Sequence, residues 1–223
     1  MRKTLPEEFR AVQPASLSRA MTELSNPGRR ITVAITGASG SVFAVELLRM
    51  LATDARVAHV DLVVSDAALR VLAEELSLSG RNGLVEKLVG EGAGKIQQHA
   101  DENIGANIAS GSYPSDAMIV LPCSMGTLAG IAHGLAATLV QRAADVTLKE
   151  RRPLVLCVRE TPFNLIHLRN MTQAAEAGAT IYPVMPTFYN KPEDTTEMTR
   201  QFVRRVLAHV GLAQAGTYEW GKD

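Results

Sequence analysis

The sequence predicts an α/β protein, a single domain built on a doubly wound, mostly parallel sheet. Three observations carry that expectation. Short apolar runs rich in β-branched residues recur along the chain, the pattern of strands buried on both faces. Amphipathic segments with helical spacing separate them, which implies right-handed βαβ units. Small turns rich in glycine and hydroxyl residues follow several of these strands, where ligands bind in such sheets.

The elements follow in order. Residues 1–30 are polar and interrupted by Pro6, Pro14 and Pro27, so they are expected to form an extension ahead of a folded unit at residues 31–223. Residues 31–36 are expected as the first strand and 42–51 as the first helix, with Val45, Leu48 and Leu51 on one stripe. The second strand is expected at 57–65, with Asp66 capping a helix that runs to about Glu75. Around one short helix, Gly80, Gly83, Gly90, Gly92 and Gly94 break the next stretch. Residues 117–122 then read as a strand, 127–135 and 139–150 as helices, and 153–158 as a strand. A helix at 164–177 is stopped by Gly178, a strand follows at 179–184, and the closing helix at 195–210 is stopped by Gly211.

Composition excludes several classes. The 23 basic and 23 acidic residues cancel, so no overall field draws nucleic acid or an anionic membrane. Aromatics make up only 4% of the chain and none interleave with a basic stretch, which argues against a nucleic-acid platform. No apolar stretch approaches the roughly 20 residues of a membrane span. Ahead of the first strand, Glu7, Glu8 and Glu23 stand where a secretory signal needs an apolar block, so the cytoplasm is the expected compartment. Cys123 and Cys157 lie inside apolar runs and are expected as buried thiols.

Four clusters carry chemistry. The turn Thr36, Gly37, Ala38, Ser39, Gly40 joins a strand to a helix N-terminus, where free N–H groups favour an anion. It lacks the full G-x-G-x-x-G pattern, which favours a mononucleotide phosphate over a dinucleotide; a plain strand–helix turn is the structural alternative. Ser124, Met125, Gly126 and Thr127 follow another strand and form either a capping turn or, with the first turn, a crevice for a ring system with a phosphate tail. After the next strand, Arg159 has the planar fork suited to an anion, and Glu160 can move a proton. Just before that strand, Arg151 and Arg152 read as a solvated helix end. Tyr189 follows the last strand as a phosphate donor, and Arg204 and Arg205 lie on the closing helix. The five histidines show no ligand spacing, and His167 reads as structural.

Together, T-G-A-S-G at 36–40, S-G-S at 110–112, P-C-S-x-x-T-L from Pro122, R-A-A-D-V-x-L-K-E-R-R-P-L-V-L from Arg142, R-E-T-P-F from Arg159, H-L-R-N-M from His167 and F-Y-x-x-P from Phe188 carry a likeness. The chain resembles the UbiX-type flavin prenyltransferases over residues 31–220. The resemblance implies a flavodoxin-like Rossmann fold assembled as a homododecamer, with sites between subunits. It implies FMN contacts from Gly37, Ala38, Ser39, Ser65, Ser124, Met125, Gly126, Thr127 and Arg159, with Arg142 reaching in from a neighbour. Lys149, Tyr189 and Arg205 would hold dimethylallyl phosphate, and Glu160 with Ser39 would manage its protons. Glu75 and Trp220 would also contact the substrate, Glu75 matching a family glutamate although Leu76 and Ser77 replace the usual Thr-Asp, and Trp220 following Glu219 where the family often has Arg.

The implied reaction moves the dimethylallyl group onto N5 and C6 of reduced FMN, and the prenylated FMN serves a UbiD-type decarboxylase. No metal is called for, because Lys149, Arg205 and Tyr189 supply the stabilisation the departing phosphate needs. Two other functions compete. A flavin-dependent decarboxylase of the phosphopantothenoylcysteine type would carry Ala-Asn-Thr where Met125, Gly126 and Thr127 stand, and a His between His99 and His133, where none occurs. A non-catalytic flavin carrier would leave Lys149, Glu160 and Tyr189 without a purpose.

Overall fold

In the computed structural model, which describes residues 28–217 and Gly221, six strands form one sheet. They are β1 (Arg29–Ile35), β2 (Val57–Val64), β3 (Ile96–His99), β4 (Ala117–Cys123), β5 (Leu154–Val158) and β6 (Thr180–Ile181). Their order is β3-β2-β1-β4-β5-β6, and every neighbouring pair runs parallel. The winding reverses between β1 and β4, which opens a crevice beyond the carboxyl ends of those two strands.

Seven helices accompany the strands among the described residues: α1 (Ser41–Thr53), α2 (Asp66–Leu76), α3 (Leu84–Val89), α4 (Met125–Ala132), α5 (Leu139–Lys149), α6 (Leu165–Glu176) and, after the last strand, α7 (Thr195–His209). Alternation along the strands feeds two cores, one on each face of the sheet. Ile31, Val33 and Ile35 of β1 join Leu47, Leu48 and Leu51 of α1 and Phe202, Val203 and Val206 of α7. Ala34 of β1 joins Met118 and Val120 of β4, Leu128 of α4 and Ala143 of α5 on the other face. Leu47, Leu48 and Leu51 are fully buried. Each such side chain stabilises the fold by roughly 1.5–3 kcal/mol relative to exposure, which seats the start of α1 firmly at the crevice.

Several boundaries differ from expectation for identifiable reasons. β1 begins at Arg29, two residues before the expected start of the folded unit. Ser65, not Asp66, caps α2 by accepting from the Ala68 N–H at 3.1 Å; Asp66 occupies the first turn and pairs with Arg81. α4 starts at Met125, because Ser124 supplies its cap. β6 is only two residues long: Tyr182 and Val184 still donate to β5, at 2.9 Å each, but Pro183 between them has no N–H and ends the regular ladder. β3 was not expected, since its sequence Ile-Gln-Gln-His buries only Ile96 and His99 on a sheet edge. Arg152 is not a solvated helix end; its guanidinium donates to the Tyr113 and Gly111 carbonyls at 2.8 Å each. His167 has the structural role expected of it, completing a capping box with Asn164 at the start of α6.

Candidate functional site

The site forms where the strands end. The turns after β1, β2, β4 and β5 lie side by side, because Ser65 N–H donates to Ile35 O, Thr36 N–H to Pro122 O and Arg159 N–H to Cys123 O, at 3.1, 3.2 and 3.1 Å. This row brings together Gly37, Ala38 and Ser39, then Ser65, then Ser124 to Thr127, then Arg159 and Glu160. All of these were expected at the site from sequence.

Thr36 binds the two central turns together. It is buried, its hydroxyl donates to the Pro122 carbonyl at 2.8 Å, and its Oγ1 accepts from the Ser124 N–H at 2.8 Å. Sequence reasoning counted Thr36 only as the first letter of a turn. A hydroxyl residue ending a mostly apolar strand was the available signal.

The turn itself depends on two glycines. A Cβ at Gly37 would collide with the Ala67 side chain on the first turn of α2, so only glycine lets this turn lie against the N-terminus that Ser65 caps. Gly40 sits at φ 109°, a left-handed conformation, and caps α1 without a side chain of its own. The cap comes from α2 instead. The Glu75 carboxylate accepts the Gly40 N–H at 3.0 and 3.1 Å and the Ser41 N–H at 2.8 Å. Burial pushes the Glu75 carboxyl up, but hydrogen bonds from the Ser39 side chain and from Ser41 and Gly40 outweigh it and hold it below the usual value. The helix N-terminus expected to hold an external anion already holds this internal one.

Beyond β4, the Ser124 hydroxyl accepts the Thr127 N–H at 3.3 Å and lies 3.1 Å from the Thr127 hydroxyl. This turn caps α4, as one of its two readings expected. Next to it Gly126 faces open space, with nothing within 4 Å of a Cβ position. Arg159 and Glu160 are exposed, and Thr161 N–H donates to Glu160 Oε1 at 2.9 Å. After β6, Met185, Phe188 and Tyr189 are all exposed. Arg205 lines a cavity of about 270 Å³ with Tyr182, Met185 and Phe202. These hydroxyls, open backbone and guanidinium groups match the chemistry of a flavin mononucleotide, whose phosphate and ring heteroatoms take hydrogen bonds.

Two expected site residues lie elsewhere in the same chain. α5 starts against Asp101, just past the end of β3, and its 11 residues carry the chain roughly 16 Å back toward the strands' N-terminal edge. Lys149 ends that helix beside Glu150 and Gly111, at the edge opposite Ser39 and Glu160. Arg142, within α5, donates to the Ala109 carbonyl at 3.1 Å and pairs with Asp145. Trp220 lies outside the described residues.

Comparison with known proteins follows the same lines. The flavoprotein family matches residues 19–209. A protein of Salmonella typhimurium called flavin prenyltransferase UbiX is 48% identical over 179 residues, spanning 80% of this chain and 90% of that one. A crystal structure of a UbiX protein in complex with FMN and dimethylallyl pyrophosphate is 39% identical, with a TM-score of 0.78, covering 87% of this chain and 98% of the other. A dodecameric, FMN-dependent UbiX-like decarboxylase from Escherichia coli O157:H7 is 40% identical, with a TM-score of 0.77, covering 86% and 98%.

Proposed function

The chain belongs to the flavin prenyltransferases, and from that premise we propose that it joins the dimethylallyl group of dimethylallyl phosphate to N5 and C6 of reduced FMN. The observation that carries this reading is the single row of Gly37, Ser39, Ser65, Ser124, Thr127, Arg159 and Glu160 across the β1/β4 switch point. Reduced FMN supplies the nucleophilic ring positions; everything else falls to side chains.

Gly37, Ala38, Ser39 and Ser65 suit the FMN phosphate, and Ser124, Met125, Gly126, Thr127 and Arg159 suit the remainder. Tyr189 and Arg205 suit the donor phosphate, which gains charge as its C–O bond breaks and the electron pair stays on oxygen. Ser39, between the two ligands, helps the donor phosphate leave, and Glu160 takes up and returns protons at the reacting ring. Trp220 is assigned to the donor side as well.

Lys149 and Arg142 fit this scheme as gifts from a second copy of the chain, since α5 directs Lys149 away from its own chain's crevice. The protein is accordingly a homo-oligomer, and the dodecamer of its relative is the proposed form. The residues ahead of β1 are proposed as an extension to a flavoprotein domain that opens at Arg29 rather than at 31. Prenylated FMN would pass to a UbiD-type decarboxylase in the cytoplasm. Among the described residues no helix is long and apolar enough to cross a membrane.

The test is anaerobic incubation of the protein with reduced FMN and dimethylallyl phosphate, followed by mass spectrometry of the flavin. The expected product carries one added dimethylallyl unit. An unchanged flavin mass, with the pyrophosphate donor also tried, refutes the proposal.

A further inference from the structure

Asp61 is only 1% exposed and sits on β2 between Val60 and Leu62, in a place where an apolar residue would pack without cost. Burying a charge there costs several kcal/mol unless it is paired. Its Oδ1 accepts His99 Nε2 at 2.7 Å and His59 Nε2 at 3.3 Å, and its Oδ2 accepts the Tyr113 hydroxyl at 2.9 Å. Arg30 Nη1 in turn donates to the Tyr113 oxygen at 3.1 Å, with its guanidinium 5.6 Å from the centre of the ring. Among the described residues no group of three or more His, Cys, Asp and Glu is placed to hold a metal ion.

His99 and Tyr113 stand at the two ends of the β3–β4 connection, residues 100–116, whose middle buries Ile108 in the second core. That connection is the bed on which α5 lies. Asp101 Oδ1 caps α5 by accepting the Val140 N–H at 3.0 Å, the Ala109 carbonyl accepts Arg142 Nε at 3.1 Å, and the Gly111 and Tyr113 carbonyls accept Arg152. At Gly111 the backbone comes so close to Lys149 and Glu150 that a Cβ would collide with both side chains.

We propose that Asp61 is a positioning residue. By tying down both ends of the 100–116 connection, it sets the direction in which Lys149 leaves α5, and so its reach into a neighbouring subunit's donor-phosphate site. The proposal rests on the functional reading above.

The test uses Tyr113→Phe, which removes one link from Asp61 to the connection, and Asp61→Asn, which keeps the shape and removes the charge. Donor KM is measured at saturating reduced FMN, FMN affinity by flavin fluorescence, and donor binding to the FMN-loaded protein by calorimetry. A displaced Lys149 should raise donor KM about tenfold while FMN affinity stays within about twofold, as expected for misplacement of a binding group. Tyr113→Phe and Lys149→Ala should also act non-additively on donor KM, because both act through one cation. Unchanged donor KM in folded Tyr113→Phe, equal losses of donor and FMN affinity, or full additivity with Lys149→Ala overturns the proposal. If the wild type binds donor without alkylating FMN, the functional reading fails, and calorimetry of the variants still decides the positioning role. If the wild type binds no donor, both fail.

Discussion

Thr36 and Ser124 meet across the switch point of the sheet, where the Ser124 N–H donates to Thr36 Oγ1 at 2.8 Å while the same hydroxyl donates to Pro122 O. One buried hydroxyl thus fixes the spacing of the two turns that border the crevice. Thr36→Val, nearly the same shape, leaves a buried N–H and weakens the tie to a carbonyl. It should destabilise the protein by about 2–3 kcal/mol, the usual cost of unsatisfied buried groups, and weaken FMN binding. Thr36→Ser should restore both, measured by denaturant unfolding and by flavin fluorescence.

Glu75 does for α1 what the residue at its own N-cap cannot, because Gly40 has no side chain. Glu75→Ala should cost about 1 kcal/mol, as for loss of an N-cap, and lower Tm by roughly 3 °C. Glu75→Gln should lose less, since its amide oxygen still accepts. An unaltered Tm in Glu75→Ala would show that water replaces the carboxylate.

Acid stability follows from the same two carboxylates. Burial pushes the Asp61 carboxyl up, but hydrogen bonds from His99 and Tyr113 carry it below its ordinary value, and Glu75 is likewise depressed. The folded protein therefore binds fewer protons at these groups than the unfolded chain. Their contribution is complete above the unfolded carboxylate value of about 4 and is lost as pH falls through the folded values. Urea unfolding at a series of pH values should show stability falling from about pH 5 downward, with a shallower fall in Asp61→Asn.

The two thiols should be silent in the native protein. Burial pushes Cys123 up to about 12 and Cys157 well above the usual value, the latter raised further by Cys123. Neither is exposed. Ellman's reagent should therefore titrate no thiol at pH 8 until denaturant is added, and then both. Prompt reaction of the folded protein would contradict this burial.

Shared sites make a mixing prediction. Lys149→Ala and Glu160→Gln should each reduce prenyl transfer strongly, while oligomers reassembled from both variants should regain part of the activity. In such a mixture some sites combine an intact Glu160 with a neighbour's intact Lys149. No recovery would place both residues in one chain's site.

Much of the fold was legible in local pattern. Buried strands announce themselves as apolar runs, so β1, β2, β4 and β5 were located to within a few residues. Of the edge strands, β6 was located but is cut short by Pro183, whereas β3, which buries only two side chains, was missed. The site's hydroxyls and Arg159 were legible for a related reason: a parallel sheet sends every strand's end to one edge.

The sequence by itself determined the α/β class, the strand-end turns and, through long motifs, the family. Only the tertiary structure decided which groups satisfy one another: that Glu75 occupies the N-terminus of α1, that Thr36 joins two turns 86 residues apart, that Asp61 gathers His59, His99 and Tyr113, and that Lys149 faces away from its own chain's crevice. Backbone periodicity is a local property and can be read along the chain. Hydrogen bonding between distant residues is not, since it depends on which strands become neighbours, and that is set by the packing of the whole sheet.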